Sequence, residues 1–269
     1  MASIQASRPN LTTNDSAVLQ ALFDAESSPS NAITINAALP AYPAHVNITP
    51  DLLQTLQARE ISIIRTLQSE STSISTIQQA IQDLDALIAE YPTYPSAYVN
   101  RAQTLRLLIN TTTALSSSSE QDKKQDEDEK LFAPENAEYA STLLGDLGRA
   151  IALASPVSPA DPVSTVQARL LADAHTHRGY LLLKAARVKK ESSGEDADGK
   201  RVGGPDRLRG VEPGQLEDMA SRDFFFGGKY GNKVAQQLAV QTNPFAKMCG
   251  AIVKEALRKE VVGESAVRI

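Results

Sequence analysis

The chain has 269 residues, 42% of them hydrophobic and 5% aromatic, with no tryptophan, one cysteine and a formal net charge of −5. That is length enough for one large domain or two small ones, and the acidic balance excludes an electrostatic nucleic-acid binder, which needs a basic footprint. The lone Cys249 excludes a disulfide framework and a cysteine zinc site, and no apolar run reaches the roughly 20 residues of a membrane span.

Few aromatics with abundant Ala and Leu suit stacked helices better than sheets. The opening MASIQASRPNLTTNDS has no hydrophobic core of the secretory kind, so the expected location is the cytoplasm, with the nucleus also open to the chain. Asn14, Asp15 and Ser16 offer caps for a short helix over 15–24, along which Val18, Leu19 and Leu22 form an apolar stripe. Pro29, Pro40, Pro43 and Pro50 then forbid a long helix. Ile33, Ile35, Leu39 and Tyr42 keep that linker apolar enough to lie against its neighbours, and it could fill a groove there as an internal inhibitor. Residues 1–50 thus read as a short helix and linker.

Thr49-Pro50-Asp51 is a cap with proline just inside, and Leu52, Leu53, Leu56, Ile63, Ile64 and Leu67 continue as a long amphipathic helix. SESTSIS breaks it, and Ala80, Leu84, Leu87 and Pro92 follow in the spacing A-x₃-F-x₂-A-x₄-P. In AYVNRAQTLRLL (97–108), Tyr98, Arg101, Ala102 and Leu105 are spaced as W-x₂-L-G-x₂-Y, and His175, Arg178, Gly179 and Leu182 repeat that spacing in HTHRGYLL. These are the two helices of a tetratricopeptide repeat, in which a small residue lets paired helices approach closely. The fold class expected is all-α: a superhelix of about three repeats near 52–94, 95–156 and 165–228, closed by capping helices over 233–260, within a domain spanning 51–260.

The second repeat closes over 141–153 with Leu143, Leu147 and Ala150, and the third with Ala220, Phe224 and Gly227. Ala102 stands as far from Leu143 as Gly179 from Ala220, so both repeats carry an insertion of one length at the same turn. Their polar, charged compositions predict flexible segments over 112–136 and 189–214 that project from one edge. Beyond Asn243-Pro244, Phe245, Met248, Cys249, Ile252, Val253, Ala256 and Leu257 share one helical face, the pattern of a cap on an open array.

NDSAVLQALF (14–23), PSAYVNRAQTLRLL (95–108), LLGDLGRAIAL (143–153), MASRDF (219–224) and TNPFAKMC (242–249) together resemble the tetratricopeptide repeat protein 36 family. The resemblance implies a non-enzymatic interaction protein, tied in vertebrate members to tyrosine breakdown and to a chaperone partner. The function expected is therefore a scaffold that binds a protein partner, a metabolic enzyme or a chaperone, with no cofactor, nucleic acid or membrane. The alternatives are a co-chaperone that engages an Hsp70-type chaperone without a carboxylate clamp, and an enzyme with an unrecognised site.

Inward-facing polar residues on the first helices of such repeats are where peptides are gripped. Here they are Asn100, Arg101 and Gln103, then Asp173, His177 and Arg178, although Arg101 and Arg178 fall at positions that often pack. Asn100 matches the Asn of a two-carboxylate clamp, but Asp173 and His177 replace its two cations, and an Asp there repels a docking carboxylate. Acidic C-terminal tails are thus not expected to bind by the clamp. His175 and His177, two apart on a helix, point about 200° from each other and make a poor metal pair. Gly227 and Gly228 read as a terminating turn rather than a phosphate loop.

Overall fold

The computed structural model describes residues 33–68, 72–116, 130–192 and 205–243. Among them are seven α-helices: α1 (Pro50–Thr66), α2 (Ile74–Glu90), α3 (Pro95–Ser116), α4 (Ala137–Ala154), α5 (Thr165–Ser192), α6 (Pro213–Lys229) and α7 (Lys233–Thr242). No strand forms among these residues; a single parallel bridge joins Ile35 to Val163. The expected short helix over 15–24 and the cap beyond Pro244 lie outside the described residues.

Local chemistry sets the helix starts. Thr49 accepts from the Leu52 amide with Pro50 just inside the helix, Ser73 accepts from Thr76, and Asn232 accepts from Ala235. Each helix packs on its neighbour in sequence, and α3 also touches α5. One continuous core results. Leu56, Ile63, Leu84 and Leu87 fill it at one end, Ala102, Leu105, Leu143 and Leu147 in the middle, and Leu181, Leu216 and Phe224 at the other.

The margins of both expected insertions are built structure. Helix α3 continues to Ser116, and residues 130–132 and 134–136 form 3₁₀ turns with Leu131 and Phe132 buried in the core. On the other side α5 runs to Ser192, and Lys189 Nζ donates to the carbonyls of Leu208, Arg209 and Val211 at 2.5, 2.9 and 2.7 Å. A few anchors hold these margins, the apolar Leu131, Phe132 and Leu208 and the ammonium of Lys189, a signal that polar composition averaged over the whole stretch conceals. Residues 117–129 and 193–204 lie outside the described residues.

Residues 33–47 form a strap along the N-terminal ends of α3 and α5. Val163 N donates to Thr34 O and Asn36 N to Val163 O, each at 2.9 Å. Ser164 Oγ donates to Ala41 O at 2.8 Å, His45 Nε2 to Leu153 O at 3.0 Å, and Thr93 Oγ1 to Val46 O at 2.9 Å. Two of its own side chains, Tyr42 and Val46, are buried in the core.

Candidate functional site

Helices α3, α5 and α7 enclose an open groove of about 570 Å³. Gln103, Arg106, Leu107 and Asn110 project from α3 at i, i+3, i+4 and i+7 and therefore lie on one helical face. Asp173, Thr176, His177 and Tyr180 do the same from α5. The third wall is Asn232, which caps α7, with Val234 and Leu238. The lining mixes apolar side chains, Leu107, Val234 and Leu238, with the amides of Gln103, Asn110 and Asn232, a common construction for sites that take a ligand with some polar specificity.

Six residues stood out in the sequence, and the structure divides them. Gln103, Asp173 and His177 line the groove. Asn100, Arg101 and Arg178 do not; each makes an internal bond. Asn100 Nδ2 donates to Glu60 Oε1 at 2.7 Å, beside Tyr94 OH and Ser96 Oγ, which donate to Oε2 at 2.7 and 3.0 Å. Glu60 is buried with neutral donors around it, and burial pushes its carboxyl above the ordinary value, partly countered by those three bonds. The amide that matched a clamp asparagine is thus engaged in holding α3 to α1.

The two arginines lock helix pairs. Arg101 Nε and Nη2 donate to Asp146 Oδ2 and Oδ1 at 2.8 and 2.6 Å, while Nη1 reaches Asp85 at 2.6 Å. Arg178 Nε and Nη2 donate to Asp223 Oδ2 and Oδ1, both at 2.7 Å. His175 Nδ1 adds a 2.8 Å bond to Asp223, its ring set against Phe226 and Tyr230. Burial raises both aspartates, but the net directions differ. Asp146 stays above its ordinary value because burial outweighs its bonds and attraction to Arg101, with a smaller push from the like charge of Asp85, whereas Arg178 and His175 together hold Asp223 below its own.

Close packing on α6 depends on glycine. A Cβ at Gly227 would lie 2.7 Å from Thr176 Oγ1 and 3.0 Å from Ala235 Cβ, so Gly227 lets α5 and α7 approach. The terminating turn expected at Gly227 and Gly228 sits instead at Gly231, whose φ is +102°. Among the described residues no group of three His, Cys, Asp or Glu is placed to hold a metal ion. None of their helices is long and apolar enough to cross a membrane. No residue of the strap lines the groove, which corrects the expectation that 33–42 occupies it.

The chain is similar to the L-tyrosine degradation gene cluster protein hmgX of Aspergillus fumigatus, with 65% identity over 261 residues, 97% of each chain. The chain belongs to the hmgX family. That finding overturns membership of the tetratricopeptide repeat protein 36 family, expected from the five quoted stretches. The reason is physical: a small residue flanked by larger ones at helical spacing reports how two helices pack, and many families pack helices in that way. No family model and no solved structure matches the chain.

Of the groove residues the sequence reading passed over, Arg106, Leu107, Asn110, Thr176 and Tyr180 were open to it. They continue the three-and-four spacing from Gln103, Asp173 and His177. The α7 wall was not, since it needs the tertiary turn at Gly231 to bring Asn232, Val234 and Leu238 against α5.

Proposed function

We propose that this hmgX-family chain is a non-enzymatic adaptor, built from tetratricopeptide-type helix pairs, that holds a protein partner in the α3–α5–α7 groove and serves tyrosine breakdown. The observation that carries the binding reading is the groove itself: α3 and α5 present one face each to a shared cleft that mixes apolar side chains with amides. The repeat reading draws support from the pairs α3/α4 and α5/α6. Ala102, Leu143 and Leu147 in one are matched by Gly179, Ala220 and Phe224 in the other, all buried at corresponding places. The link to tyrosine breakdown comes from the name of the Aspergillus fumigatus relative.

The test is site-specific photo-crosslinking in the native cell. A benzophenone amino acid at Leu107, in the groove, is compared with one at Val157, which is 89% exposed and outside it. Adducts with an enzyme of tyrosine breakdown from Leu107 and not from Val157 are the expected result. The same adducts from both positions, or turnover of a tyrosine-pathway intermediate by the isolated chain, would overturn the reading.

A further inference from the structure

We propose that the apolar stripe of residues 14–23 occupies the groove of its own chain, so that a partner gains the groove by displacing it. The proposal rests on the groove being the partner site and adds how that site is regulated. Leu107 on α3 and Val234 on α7 line the groove with 37% and 59% of their surfaces exposed, and Leu238 lies one turn beyond Val234. Apolar side chains that converge on one open cleft gain free energy when something apolar covers them.

The chain supplies such a cover close by. Val18, Leu19, Leu22 and Phe23 recur at i, i+1, i+4 and i+5, which is one face of a short helix. A helix of about ten residues is marginal in water by itself and needs a surface for its stripe. The strap fixes where the segment is delivered: Thr34 and Asn36 are bonded to Val163, just ahead of α5. Asp173, at the near end of the groove, lies eight residues beyond Thr165. That is roughly 12 Å along the helix, and Tyr180 at the far end is roughly 10 Å further. Residues 24–32 span up to about 30 Å when extended, enough to set the stripe anywhere along that face.

Tethering counts as much as fit. A segment held this close is present at an effective concentration on the order of millimolar, so even a weak contact keeps the groove filled. The other long apolar stripe of the sequence, Phe245 to Leu257, fits less well. As a helix it runs roughly 18 Å, against roughly 10 Å for the groove from Gln103 to Asn110.

The experiment titrates a fluorescein-labelled peptide of residues 12–26 with the full chain, as wild type and as the Leu19→Asp/Leu22→Asp variant, which removes the stripe. Leu107→Asp and Val234→Asp are each added to that variant, and every chain is first shown to unfold cooperatively. Anisotropy is expected to show the peptide binding the Leu19→Asp/Leu22→Asp chain at least tenfold more tightly than the wild type, whose groove is filled. Either groove substitution should then weaken it at least tenfold. Equal binding to the two chains, or no binding to either, would overturn self-occupancy. So would binding that neither groove substitution weakens, which assigns the peptide to another apolar surface such as Met219 and Phe225 on α6. In the cell, Leu19→Asp/Leu22→Asp should raise the partner adducts formed from Leu107, and unchanged adducts would overturn the competition. None of these outcomes removes the groove as the partner site, which is decided by whether Leu107 forms those adducts at all.

Discussion

Arg101 and Asp146 stand to each other as Arg178 and Asp223 do: 45 residues apart, a two-pronged guanidinium–carboxylate pair joining one helix to the next. The pairs occupy matching places in α3/α4 and α5/α6. Each carboxylate is nearly enclosed, with side-chain exposures of 6% for Asp146 and 5% for Asp223. Each arginine is what makes that enclosure tolerable. A buried ion pair contributes little compared with an apolar substitute, yet removing one member leaves a charge stranded.

Arg178→Ala is therefore expected to cost about 3–5 kcal/mol of folding stability, the usual penalty for breaking a buried pair. Asp223→Asn is expected to cost less, since it removes the buried charge while keeping an acceptor for Arg178. Urea unfolding of the two variants checks the order, and the reverse order would show that the charge itself is not what the arginine stabilises.

The pH dependence separates Glu60 from Asp223. Burial raises Glu60 above its ordinary 4.5, so the folded chain favours its protonated form, and its contribution weakens as pH rises from 4.5 through the raised value. Asp223 is held below its ordinary 3.8, so its contribution is present above that pH and is lost as pH falls through the lowered value. Glu60→Gln keeps a hydrogen-bonding group and removes the first titration. Wild type should lose stability relative to Glu60→Gln between pH 4.5 and 7, read from urea midpoints at four pH values. A difference that stays flat with pH would contradict the assigned direction.

Asn100→Ala should lower stability by about 1–3 kcal/mol, because it leaves a buried carboxylate oxygen short of a donor. It should leave groove binding unchanged, since Asn100 faces Glu60 rather than the groove. Thermal melts and peptide anisotropy on the one variant read both effects.

Glycines on α4 and α6 should respond with opposite sign. Gly227→Ala forces a methyl against Thr176 and Ala235, and overpacking of this kind costs about 1–3 kcal/mol. At Gly148 the nearest atom to an added Cβ is Arg178 Nη1 at 3.8 Å, ordinary contact with a side chain. Gly148→Ala should therefore gain about 0.5–1 kcal/mol from helix propensity. Chemical denaturation distinguishes a loss from a gain without ambiguity.

The helices were legible in the sequence because periodicity and caps are local. Thr49-Pro50 does start a helix, Ala80, Leu84 and Leu87 are buried, and Ala220, Phe224 and Gly227 do face inward. The roles of charged residues were less legible, because a partner 45 residues away is invisible to spacing. Arg101 and Arg178 presented themselves equally as contacts and as packing, and only Asp146 and Asp223 decide between the two. Asn100 misled for a similar reason: its type and helix position match a binding residue, while its actual partner, Glu60, sits on another helix. Gln103, Asp173 and His177 reached the groove because facing, unlike pairing, follows from helical period alone.

The strap over 33–47 crosses from Thr93, ahead of α3, to Leu153 in the last turn of α4 and to Val163 and Ser164, ahead of α5. It thus behaves as a tie-bar across two successive helix pairs, setting the angle at which they lean together. The groove's width is the gap between α3 and α5, so the tie-bar presets the mouth before any guest arrives, and the guest is spared the entropy of closing it. A chain shortened to begin at Pro50 would retain all seven helices and lose that calibration. Its groove would breathe, and a partner would meet the same residues at a spacing no longer fixed.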